Sequence, residues 1–184
     1  KVSLKNVRYT RVEPAVFSAV LQALVRGRQL AFTYAPATSG ESRRRQVDPL
    51  HLLVYMGNWH LIAWCCERRA VRDFLLSRMQ AAEVLAAAAE HHAGAEKIGE
   101  KIEQRYGIFF DGPAQQVVLR FSPAGARRVR DQVWFPGQTL RERPDGSLLL
   151  EFPVADLREV VRDILPFGAD VEALQPPGLR RLFA

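Results

Sequence analysis

Residues 57–63 read Gly57-Asn58-Trp59-His60-Leu61-Ile62-Ala63. Gly57-Asn58 is a tight-turn pair, and the run after it is rich in β-formers. In an extended strand Trp59 and Leu61 share one side, while His60, Ile62 and Trp64 share the other. The segment therefore reads as the turn and second arm of a hairpin whose first arm is residues 50–55. Outward from it, residues 30–34, 43–47 and 71–76 are further short strands, and a Pro/Ser/Gly loop follows the first of them. Ahead of these, Glu13-Pro14 starts a helix, because proline at the first helical position has no amide to leave unpaired. Val16, Phe17, Val20, Leu21, Leu24 and Val25 recur at helical spacing, and Gly27 ends the element. One helix and about five short strands predict a small, strongly bent sheet or barrel.

From Gln80 the character changes. Residues 81–89 are Ala-rich, residues 91–94 break the pattern, and residues 95–106 read as a helix with Ile98, Ile102 and Tyr106 on one stripe. Residues 107–114, with Gly112-Pro113, read as a linker. Strand 116–121, helix 123–132, strand 138–143, strand 147–154, helix 155–165 and strand 170–174 then follow. That is the β-α-β-β-α-β order of a ferredoxin-like module. The expected fold class is α+β. The expected divisions are an extended lead-in (1–13), a barrel domain (14–80), a helical connector and linker (81–114), and a ferredoxin-like module (115–184).

The 184 residues are ample for a buried core, and 48% apolar with 25% charged residues excludes a disordered or collagen-like chain. The net charge is +6, and 22 of the 26 basic residues are arginine. Arginine suits phosphate and base edges, although the bias also fits a GC-rich genome. The charge is unevenly placed. Residues 1–80 hold 13 basic and 5 acidic residues, a balance of +8, against −2 for the remainder. Such asymmetry points to a local anion-binding face. The two cysteines, Cys65 and Cys66, are adjacent inside an apolar run and read as packed, reduced thiols of a cytoplasmic protein. No apolar run is long enough to cross a membrane, so no membrane partner is expected. The chain begins with Lys1, which reads as an excised fragment lacking its N-terminal part.

In a strand Arg43 and Arg45 share a face while Arg44 points away, a possible anion site or a solvated charge run. Arg72 and Arg78 are six apart with Phe74 between them. Strand parity would make this a platform for stacking a base and clamping its phosphates, or else Phe74 is core and the arginines are unrelated. His60 reads first as a hydrogen-bonded structural residue. His91-His92 has no third ligand at useful spacing, so no metal site is assigned. There is no Gly-rich phosphate loop, nucleophile elbow or acid–base pair, hence no catalytic residue, no cofactor and no enzyme.

Taken together, residues 30–85 resemble the WYL-domain family. The resemblance runs through Leu30-Ala31-Phe32-Thr33-Tyr34, Arg45-Gln46-Val47-Asp48-Pro49, Leu50-His51-Leu52, Gly57 to Ala63, and Arg72-Asp73-Phe74-Leu75-Leu76-Ser77-Arg78-Met79. His60 stands where the family has tyrosine. The second module resembles the C-terminal extension that follows such domains, through Trp134-Phe135-Pro136-Gly137-Gln138, Asp145-Gly146-Ser147 and Gly168, Val171 and Pro176. The resemblance implies an Sm-like, SH3-type barrel in a bacterial transcription regulator. A winged helix-turn-helix upstream would bind operator DNA, and a nucleic-acid or nucleotide ligand would bind the barrel. It also implies a homodimer. The expected ligand-binding residues are Tyr34, Arg43, Arg45, His51, His60, Arg72, Phe74 and Arg78. The competing expectation is a dimerisation or scaffold module with no ligand.

Overall fold

The computed structural model describes residues 9–36, 41–90, 92, 97–108 and 113–183. The chain forms two compact units, residues 1–99 and 100–184, each with its own antiparallel sheet. The class is α+β.

The first unit opens with helix α1 (Pro14–Arg26), with proline in its first turn and Gly27 closing it at φ 58°. Gly27 is in the left-handed region that glycine enters without strain. Val16, Val20 and Ala23 form the buried stripe. Strands β1 (Arg28–Tyr34), β2 (Arg43–Tyr55), β3 (Asn58–Cys65), β4 (Ala70–Leu75) and β5 (Met79–Ala88) follow, ordered β4-β3-β2-β1-β5. In a flat sheet β1 and β4, three places apart, would stand about 14 Å from each other. Yet the Leu75 amide donates to the Tyr34 hydroxyl at 3.2 Å, and the rings of Phe32 and Tyr34 each lie 5.2 Å from that of Phe74. The sheet therefore curls. Leu30, Phe32, Val47, Leu61, Ala63, Cys65, Phe74 and Leu76 fill its concave side, closed by α1.

Several local expectations change. The hairpin turn is Met56-Gly57, with Asn58 already in β3, and φ values of 49° and 77° match the left-handed pair that a two-residue turn of this hand requires. Residues 43–55 are one strand, because a bulge between Pro49 and His51 accommodates the proline that cannot donate to a ladder. The Ala-rich stretch, expected in a helical connector after residue 80, is β5. It pairs with β1 with two register shifts, so the free edge of β1 outweighs alanine's helical preference. Of the connector helix, α2 (Ile98–Glu103) is helical, and residues 93–96 lie outside the described residues. Part of the expected lead-in (1–8) and of the linker (109–112) also lies outside them.

The second unit runs β6 (Gln115–Phe121), α3 (Pro123–Val129), β7 (Thr139–Glu142), β8 (Leu148–Val154), α4 (Leu157–Ile164), a 3-10 segment (Leu165–Asp170), β9 (Val171–Gln175) and α5 (Pro177–Phe183). The sheet order is β7-β8-β6-β9. Val117, Leu119 and Phe121 alternate on β6 and Leu148, Leu150, Phe152 and Val154 on β8. The helices add Ala126, Val129, Val160, Ile164 and Leu179 to the same core. Ser122 caps α3, its hydroxyl accepting from the Gly125 amide at 3.1 Å. Helix α5 was not expected from the sequence. Its only fully buried apolar side chain among the described residues is Leu179, too little for a periodic pattern.

Candidate functional site

Three arginines of the first half, Arg43, Arg45 and Arg78, lie on the elements around the Tyr34 end of β1. Register places Tyr34 opposite Arg43 and Phe32 opposite Arg45, while Met79 of β5 flanks Tyr34 on its other side. Pleat alternation gives Arg43 and Arg45 the same side as Val47, the concave one. Arg43 is exposed and ion-paired with Glu41 at 2.7 Å. Arg44 points the other way and meets Glu83 at 3.2 Å. Arg45 is half-buried beside Glu67, whose carboxylate accepts from the Cys65 thiol at 3.2 Å and the Gln46 amide at 3.0 Å. Burial raises the Glu67 carboxyl, but those donors, with Arg45 nearby, bring it below its ordinary value.

Tyr34 anchors this end. Burial pushes its hydroxyl pKa up and Asp73 adds to that, whereas the Leu75 amide and the guanidinium of Arg78, within hydrogen-bonding reach, act against it. Arg78 belongs to a 3-10 turn (Leu76–Arg78) that joins β4 to β5. Strand parity therefore does not link Arg78 to Arg72, because β4 ends at Leu75. Arg72 lies opposite Ala63, half-buried, on the pleat of Phe74. Phe74 is 4% exposed, with its ring between Phe32 and Tyr34. The expectation that it stacks a base is corrected: no face of the ring is open.

The bulge after Pro49 reverses side-chain parity along β2, so Val47 and Leu52 both reach the core and His51 falls on the opposite pleat. His60, opposite Leu53, shares that convex side. Its Nδ1 is 2.8 Å from Oδ1 of Asp73, and Tyr55 meets its ring edge-on at 6.2 Å. His51 and His60 are thus not brought together with Tyr34, Arg43 and Arg45, a second correction to the expected ligand set.

The same convex side carries a cluster the sequence reading missed. Asp48, 1% exposed, accepts at Oδ1 from the Gln29 amide group (2.9 Å) and the Glu90 backbone (3.1 Å). Its Oδ2 is 2.6 Å from Nε2 of His92, whose ring stacks on Trp64 at 4.2 Å. Asp48 and His92 are 44 positions apart, so no motif spacing could have joined them. His91 lies outside the described residues.

Comparison with known proteins places these features. The WYL domain model matches residues 15–84 and the WCX domain model residues 113–184. Protein PafC of Mycobacterium tuberculosis (strain ATCC 25618 / H37Rv) is 29% identical over 169 residues, covering 91% of this chain and 51% of PafC. The uncharacterized HTH-type transcriptional regulator YobV of Bacillus subtilis (strain 168) is 25% identical over 177 residues, covering 94% of this chain and 53% of YobV. The DNA-binding transcriptional repressor CapW of Escherichia coli is 35% identical over 74 residues, covering 40% of this chain and 24% of CapW. The chain spans about half the length of the first curated relatives it matches. Among the described residues no helix is long and apolar enough to cross a membrane.

Proposed function

From the premise that this chain belongs to the WYL-domain family of transcription regulators, pairing a WYL domain with a WCX domain, we propose that it is a ligand-sensing regulatory module. Its ligand in this reading is a single-stranded nucleic acid or a nucleotide. The first unit is read as an Sm-like, SH3-type barrel and the second as a ferredoxin-like module. The hydrogen bond from β4 to β1 supports the first, and the element order from β6 to β9 supports the second.

The observation that carries the reading is the guanidinium of Arg78 beside the half-buried phenol of Tyr34, with Arg43 opposite Tyr34 and Arg45 opposite Phe32 on the neighbouring strand. Guanidinium groups bind phosphate through paired N–H donors, and a tyrosine hydroxyl adds a directional donor and acceptor. Arg72 stands on the same concave side and extends the basic surface. His51 and His60, on the convex side, act on the barrel and not on the ligand.

Relatives with helix-turn-helix and DNA-binding names suggest the output. Occupancy of the basic rim would favour one arrangement of a homodimer and so bias upstream domains that read operator DNA. The test is fluorescence anisotropy of a short labelled oligonucleotide and of a labelled nucleotide, with wild type, Arg45→Ala and Arg78→Ala. Binding by wild type that weakens in both variants supports the reading. Absence of binding to either probe leaves the ligand-free dimerisation module as the account of this chain.

A further inference from the structure

We propose that Asp48, Glu90 and His92 form a binding site for a divalent transition-metal ion, with zinc as the favoured occupant. One donor atom from each residue lies within 4.8 Å of the others. Two carboxylates and an imidazole are donors that zinc accepts at about 2.0–2.2 Å, leaving a fourth position open. Donors of a tetrahedral ion at those bond lengths stand about 3.4 Å apart, so this group has only to draw inward. Glu90, exposed at the end of the first unit's last strand region, has the freedom to do so.

Three further features argue for a cation here. Asp48 is almost fully buried, and its only ion-pair partner among the described residues is His92. A buried carboxylate without an arginine or lysine is costly unless a positive charge stands beside it. Secondly, the surroundings hold the ligands in place from behind. Gln46 donates to Gln29 at 2.7 Å and Gln29 to Asp48 at 2.9 Å, while the indole of Trp64 stacks on His92 at an interplanar angle of 18°. Such outer contacts are what orient metal ligands. Thirdly, the Cys66 thiol lies 4.0 Å from Oδ2 of Asp48 and borders the same space as a soft donor.

The site is independent of the basic rim, on the other side of the sheet, and its test does not involve the oligonucleotide. The full chain is stripped with a chelator and titrated with zinc against a chromophoric competitor, and thermal unfolding is followed with and without the ion. Wild type is expected to take up one zinc per chain and to unfold at higher temperature with it. Glu90→Gln and His92→Ala should each weaken uptake at least about tenfold and lose the thermal shift. Glu90→Gln removes only an exposed charge, so it keeps the test valid if a variant at buried Asp48 fails to fold. No uptake by wild type, or equal uptake by both variants, overturns the proposal and leaves Asp48–His92 an ordinary buried ion pair.

Discussion

The backbone amide of Leu75 donates to the hydroxyl of Tyr34 at 3.2 Å, tying β4 to β1 across the concave side of the first sheet. The same phenol stands beside Arg78 and opposite Arg43. One side chain thus ties β4 to β1 and borders the proposed basic rim.

Tyr34→Phe keeps the ring contacts with Phe32 and Phe74 and deletes only the acceptor. The half-buried Leu75 amide then loses its partner, and urea unfolding is expected to show a loss of about 1 kcal/mol. Unchanged stability would mean that the curl is held by apolar packing alone.

Gly125 sits in α3, where alanine would ordinarily gain up to about 1 kcal/mol through helix propensity. Here a Cβ would stand 2.7 Å from the backbone oxygen of Asp170. The clash decides the sign. Gly125→Ala is expected to destabilise the second unit by about 1–3 kcal/mol in chemical denaturation.

The Ser122 hydroxyl caps α3 by accepting from the Gly125 amide and donates to Oδ1 of Asp170 at 2.6 Å. Ser122→Ala should cost about 1–2 kcal/mol in the same measurement, whereas Ser122→Asp, which keeps a capping oxygen but meets the Asp170 carboxylate, should not recover it fully.

Asp156 caps α4, and the guanidinium of Arg158 holds its carboxyl below its ordinary value, with the Arg158 amide adding to this against the effect of burial. A depressed folded-state pKa gives stability that is fully present above the unfolded value, about 3.9, and lost as pH falls through the lower folded value. The stability gap between wild type and Asp156→Ala should therefore hold constant from pH 7 to about pH 5 and shrink below pH 4. A gap that persists undiminished at the lowest pH would assign the cap to packing, not charge.

What could be read in the sequence followed from local chemistry. Pro14 and Gly27 bound α1, and the alternation of Trp59 and Leu61 placed β3. What could not be read depended on partners distant in the chain. The alanines of β5 are a strand only because β1 offers an edge, and Phe74 is core only because the sheet curls Phe32 and Tyr34 onto it. The bulge after Pro49 moved His51 to the convex side, a shift no alternation rule anticipates. At the candidate site the sequence supplied the arginines and Tyr34 but misjudged Phe74. The Asp48–His92 pair was invisible for the same reason: its two halves meet only once β2 and the segment after β5 are in place.

The central claim is that the basic rim holds phosphates, and the most direct test is the salt dependence of oligonucleotide affinity. Anisotropy titrations of a short single-stranded oligonucleotide would be run at several salt concentrations with wild type, Arg45→Ala, Arg78→Ala and Arg181→Ala. Three phosphate contacts imply a log–log slope of about −2, since each contact on a single strand contributes about −0.7. Arg45→Ala and Arg78→Ala should each flatten the slope by about 0.7, and Arg181→Ala, an exposed charge in the second unit, should leave it unchanged. Equal affinities and equal slopes for all four proteins would contradict the account.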